Sequence, residues 1–193
     1  MTGNIPGTSL VQSFDENNAF GSIGTVLAAT GGLTLSQLAE LVGTEATTIQ
    51  NWVKRGWVEN PGNRRYGEVQ TARVIIINML KSTLRLEDIA RLMRIVNGRV
   101  DDRSDDIIPD RELYNYLCFV ICRLEETGCF THEHAEELIN ESMSGYTPPH
   151  ERARDILFTA LMTMTMAYIS SELQKQAEKN FEKIKTLERS TAA

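Results

Sequence analysis

Two glycines, Gly43 and Gly56, each close a short run of helical periodicity, and between them they leave the stretch from Thr34 to Arg55 little choice but a pair of small helices. Thr34 and Gln37 stand at the spacing of a capping box, and Leu35, Leu38, Ala39 and Val42 then recur at three- and four-residue steps up to Gly43. Thr44 is placed to cap a second helix, in which Ala46, Ile49, Trp52 and Val53 share a face before Gly56 stops it. Two helices joined by a short turn containing glycine make a helix-turn-helix. At about 100° per residue, the face opposite the apolar set carries Thr47, Asn51 and Lys54, with Gln50 and Arg55 on its flanks. With Thr48, these six residues are the candidate contacts of that helix.

Asn and Gln pair bidentately with adenine, Thr offers a methyl group to thymine, and Lys or Arg takes guanine or phosphate. The competing explanation is that an exposed helical face is polar whatever it does. Charge sharpens the choice. The chain carries a formal −6, yet residues 49–99 hold ten basic and four acidic side chains, +6, which leaves −12 for the remainder. A basic block in an acidic chain suits a local polyanion site, and it also suits a solvated helical surface. After Gly56, the apolar pair Trp57-Val58 and the turn-rich Asn60-Pro61-Gly62-Asn63 lead into Arg64-Arg65-Tyr66. This reads as a hairpin, or wing, whose tip offers two arginines to phosphates and a tyrosine to sugar. Trp52 is expected in the core between the helices and Trp57 as a prop for the wing.

Helices are expected over Glu68 to Thr83 and Leu86 to Asn97, giving the order helix, turn, helix, wing, helix, helix. Through LTLSQLAELVG, TTIQNWVKRGWV, RRY and LRLEDIARLM, residues 33–98 resemble the MerR-like winged-helix DNA-binding domains. The resemblance implies a DNA-binding regulator with Thr47, Gln50, Asn51 and Lys54 on a recognition helix and Arg64, Arg65 and Tyr66 in a wing. The chain departs from that group in reading Gln50-Asn51-Trp52 where Arg-Tyr-Tyr is usual, and in lacking one long dimerisation helix directly after the domain. Through IQNWVKRG, RRYG, IINML and VNGRVDDRSDDIIPDRELYNY the chain also resembles an uncharacterised bacterial family catalogued as a domain of unknown function.

The acidic segment Asp101 to Asp106 lacks the central Gly and the twelfth-position Glu of an EF-hand loop and reads as a linker. A helix should start at Pro109 and run through Leu113, Tyr116, Leu117, Val120, Ile121 and Leu124 to Gly128. Cys118, Cys122, Cys129, His132 and His134 offer sulfur and imidazole ligands that would suit zinc or copper and make a metal-responsive regulator. Their spacing matches no zinc motif, however, and the apolar run LCFVIC favours core packing for the first two. Arg152 to Glu188 reads as one long helix or two. The first part is apolar nearly all round and therefore buried; the second carries Leu173, Ala177, Phe181, Ile184 and Leu187 among Glu and Lys, as in a helix that packs on a partner.

The expected chain is mainly α: a flexible segment over 1–20, a winged helix-turn-helix domain over 21–99, an acidic linker over 100–109, and a helical dimerisation or sensing domain over 110–193. The expected activity is transcriptional regulation on double-stranded DNA as a homodimer through the C-terminal helices, with a protein-interaction module as the alternative. No catalytic triad, paired-carboxylate signature, phosphate loop or cofactor motif stands out, so neither an enzyme nor a cofactor is expected. Any effector is unknown. The longest apolar run, Ile156 to Ile169, is broken by threonines and falls short of a membrane span, and the N-terminal residues have no signal-peptide character. The expected compartment is the cytoplasm, with no membrane partner.

Overall fold

The computed structural model describes residues 2–98 and 106–191. The fold is mainly helical, with eight α-helices and one two-stranded sheet among the described residues. Strands β1 (Thr2–Asn4) and β2 (Val11–Ser13) pair antiparallel, with Gly3 opposite Gln12. The segment expected to be flexible thus contributes structure: Ile5 and Phe14 are buried, and the Ser9 amide donates to the Leu41 carbonyl at 2.7 Å. Two isolated apolar residues have no period, which is why this packing left no trace in the sequence pattern. Gly7 makes the approach possible. It sits at φ +75°, and a Cβ there would fall 2.4 Å from Met79 Cγ.

Helix α1 (Ala19–Thr30) ends as its glycines indicate, with Gly31 left-handed and its amide on the Leu27 carbonyl. Helix α2 (Leu35–Val42) carries the capping box of Thr34 and Gln37 and stops at the left-handed Gly43. Helix α3 (Ala46–Lys54) follows after a short turn. Thr44 does not cap it. The cap position is Glu45, with no side-chain hydrogen bond, and the Thr44 hydroxyl instead accepts from Lys81 Nζ at 2.9 Å.

Helices α4 (Glu68–Leu80) and α5 (Leu86–Asn97) lie within a few residues of their expected bounds. In α4 every residue from Thr71 to Ile77 is buried, so the helix is enclosed rather than amphipathic. Helix α6 (Asp110–Thr127) starts after Pro109 and stops at the left-handed Gly128. It is the second enclosed helix, packing on α1 and α4 and on the two helices that follow it. One of those, α7 (His132–Ser142), went unread in the sequence although Thr131 caps it through the His134 amide. Its buried residues, Ala135, Leu138 and Ile139, stand at helical spacing, a pattern that the neighbouring histidines overshadowed. Helix α8 (Ala153–Thr191) is a single helix.

One cluster of buried side chains runs from Ile5 to Ile169 and crosses the boundary drawn at residues 109 and 110. Tyr114 exemplifies the crossing. Its ring meets Phe20 edge-on with centroids 5.9 Å apart, and its hydroxyl donates to the Pro6 carbonyl at 2.7 Å. The linker reading falls mostly on residues 100–105, outside the described residues; beyond them, the Ile107 amide returns to the Val96 carbonyl. In α8, Leu157, Leu161 and Met164 are fully buried, whereas Leu173, Phe181, Ile184 and Leu187 are exposed. By length and mean hydropathy α8 is apolar enough to cross a membrane, contrary to the reading that its threonines disqualify it. Half of the apolar window is buried inside the fold, and a core helix of this length reads the same way.

Candidate functional site

Helix α3 is held by two side chains, Ile49 and Trp52, at 0% and 2% exposure. Lys81 of the turn after α4 secures its start: beside the bond to Thr44, its ammonium lies 5.8 Å from the centroid of the Trp52 ring. Partial burial lowers the pKa of this lysine. Anchored this way, α3 exposes Thr47, Gln50, Asn51, Lys54 and Arg55, and half-buries Thr48. Thr47, Asn51 and Lys54 fall within roughly 60° of helical arc, so the polar face read from the sequence is present and turned to solvent. Arg55 is partly engaged. Its guanidinium lies 3.4 Å from Glu87 Oε1, with both side chains more than half exposed, and 5.1 Å from the Trp57 ring centroid. Exposed pairs of this kind contribute about 0–1 kcal/mol and rearrange readily.

The loop after α3 differs from the expected hairpin. Residues Gly62–Arg64 make a tight 3-10 turn, with Asn63 at φ 50° and Arg64 at φ 59°. Two successive left-handed residues and a proline without an amide proton turn the chain too sharply for two paired strands. What pairing exists joins Tyr66 to Leu33 in a single antiparallel bridge, with hydrogen bonds of 2.8 and 3.0 Å. Gly32 permits it. At φ +97°, a Cβ there would stand 2.9 Å from the Tyr66 carbonyl oxygen.

The bridge redistributes the expected wing residues. Tyr66, read as a surface contact for sugar, is 4% exposed, and burial raises its phenol pKa. Arg65 reaches back and donates from Nη1 to the Gly32 carbonyl at 2.8 Å. Arg64 is exposed. The loop therefore offers Arg64 outright, Arg65 in part, and Tyr66 not at all. A wing tip would have projected Tyr66 outward with the two arginines; the bridge to Leu33 turns it into the core.

The sulfur and imidazole candidates do not converge. Among the described residues no group of three or more His, Cys, Asp or Glu could hold a metal ion. Cys118 and Cys122 are buried in α6 and Cys129 is exposed. Burial pushes the Cys118 thiol well above its ordinary range and the Cys122 thiol up to about 12, where nearby Glu125 adds to the effect. A metal needs the thiolate, which these sites oppose. His134 instead sits 3.4 Å from the Thr127 hydroxyl through Nε2 and 3.5 Å from Glu137 through Nδ1.

The sequence reading missed a buried ion pair. Arg73 of α4 donates from Nε to Asp110 Oδ1 at 2.9 Å, with the two side chains 3% and 0% exposed. The signal was available: an arginine inside the run TARVIIIN must find a partner, because an unpaired buried charge costs several kcal/mol. The pair ties α4 to the first residue of α6.

Residues 32–117 match a family described as a domain of unknown function, DUF1836. That span contains α2 to α5 and both members of the Arg73–Asp110 pair. The uncharacterised protein YkrK of Bacillus subtilis (strain 168) is 32% identical over 91 residues, which cover 45% of this chain and 39% of that protein. The chain thus matches this curated relative over about two fifths of the relative's length. No solved structure matches.

Proposed function

We propose that the chain is a DNA-binding transcriptional regulator whose α2–α3 unit acts as a helix-turn-helix, with the following loop as a reduced, MerR-like wing. The observation that carries the reading is the exposed face of α3, where Thr47, Gln50, Asn51 and Lys54 stand free on a helix locked underneath by Ile49 and Trp52. Such a face fits a major groove and combines base-reading amides with a cation for phosphate. The apolar stripe of Leu173, Phe181, Ile184 and Leu187 on α8 supports a homodimer, which would set two such helices on a palindromic site in the cytoplasm.

A second reading, a module that docks a protein partner through the same face, draws support from the loop. With Arg65 tied to Gly32 and Tyr66 buried, the loop keeps fewer side chains for phosphate and sugar, in a chain of net charge −6. Fluorescence anisotropy separates the two. Labelled duplexes from upstream of the chain's own gene, and scrambled ones, are titrated at two salt concentrations. The DNA reading requires tight, salt-sensitive binding that Asn51→Ala changes in sequence preference. Absence of binding at low salt by the folded protein would leave the docking module as the better account.

A further inference from the structure

A cleft of about 760 Å³ opens between the loop after α3 and helix α5, within the size range of small-molecule sites, about 300–1,000 Å³. One wall is α5, where Arg91 and Arg94, three residues apart, share a face and line the cleft. Both are exposed, and neither has an ion-pair partner among the described residues. The opposite side carries the half-buried Trp57, and beneath it Val58; Met93, on the α5 side, is 2% exposed. Arg73 also lines the space. Its side chain is 3% exposed and its Nε is taken by Asp110, whereas its two terminal nitrogens have no hydrogen-bond partner among the described residues. A buried guanidinium with free donors beside two unpaired ones is a site for an anion.

We propose that this cleft binds a nucleotide, with the phosphates on Arg91, Arg94 and the free nitrogens of Arg73, and the flat ring against Trp57. A carboxylate narrows the ligand class. Glu87 lines the same cleft, and it would repel a bare polyphosphate while accepting hydrogen bonds from the hydroxyl and amino donors of a sugar and base. Among the described residues Glu87 is held only by its loose contact with Arg55, so it can turn toward such donors. Because Arg55 directly follows α3 and reaches into the same cleft, an occupant would touch the end of that helix. The inference does not rest on DNA recognition and stands or falls separately from it.

The full-length protein is titrated with ADP, with inorganic pyrophosphate and with adenosine, all without divalent metal. Tryptophan fluorescence and calorimetry are the readouts. Trp57 is in the cleft and Trp52 in the core, so Trp57→Phe should abolish the fluorescence change, and calorimetry should report weakened ADP binding. The proposal expects saturable ADP binding that Arg91→Gln and Arg94→Gln each weaken about tenfold or more, the loss of one charge-assisted contact. Both arginines are exposed, so these variants should keep the wild-type unfolding midpoint. Binding of pyrophosphate as strong as that of ADP would overturn the proposal, since the aromatic wall would then contribute nothing. So would ADP binding indifferent to both arginine substitutions, or no saturable ADP binding up to roughly 5 mM, a range that already covers weak sites.

Discussion

Helices α3 and α4 both carry polar side chains, but they dispose of them in opposite ways. Helix α3 buries two residues and turns its polar side chains to water, where they cost nothing and remain free to bind. Helix α4 is enclosed from Thr71 to Ile77, and its arginine is consumed by Asp110. The difference teaches how to read a polar residue. On α3 it is available for function because the fold does not need it; on α4 the fold depends on it, and binding can use only what the structural partner leaves over.

Removing Arg73 should break the contrast most severely. Arg73→Ala leaves Asp110 buried with its arginine gone, and an unfolding titration should show a loss of about 3–5 kcal/mol. On the other helix, Asn51→Ala should leave the unfolding midpoint unchanged within about 0.5 kcal/mol. Its effect belongs to binding: DNA affinity at the preferred site should fall by about 1–3 kcal/mol if the DNA reading holds, as anisotropy would report. Thr34→Ala tests the frame that presents α3. Losing the capping box of α2 should cost about 1 kcal/mol of stability, read from the same denaturant curve. Arg64→Ala should be the mildest change, with stability within about 0.5 kcal/mol and the salt slope of DNA binding reduced by about one unit.

The cysteines repeat the contrast and respond to pH. The Cys122 thiol titrates near pH 8.5 in the unfolded chain and is pushed up to about 12 in the fold. The unfolded chain therefore loses its proton first, and stability should hold below about pH 8.5 and decline as pH rises toward 12. Urea midpoints should fall more steeply over that interval for the wild type than for Cys122→Ala. Iodoacetamide at neutral pH should label the exposed Cys129 ahead of both buried thiols.

Local punctuation made the helical frame legible. Thr34 with Gln37, and the glycines at 43, 56 and 128, mark helix ends through backbone chemistry that depends on few neighbours. The polar face of α3 was legible for the same reason, since period alone separates it from Ile49 and Trp52. Tyr66 was not. Its side depends on one bridge to a residue 33 positions earlier, and no local pattern encodes that register. The Arg73–Asp110 pair, across a similar separation, could be anticipated from one side only: burial of the arginine demanded an acid without saying which. Helix α7 was overlooked although Thr131 caps it and Ala135, Leu138 and Ile139 stand at three- and four-residue helical steps.

The bridge between Leu33 and Tyr66 has one more consequence. It closes the backbone from Leu33 to Tyr66 into a ring, with α2 and α3 on its circumference and the turn at Asn60 to Asn63 as a rim facing water. Lengthening such a rim adds only loop-closure entropy, about 0.6 kcal/mol for each doubling of its length. Insertions between Asn60 and Asn63 can therefore vary the outer edge of the ring while the clasp at Leu33 and Tyr66, and the helices it encloses, keep their places.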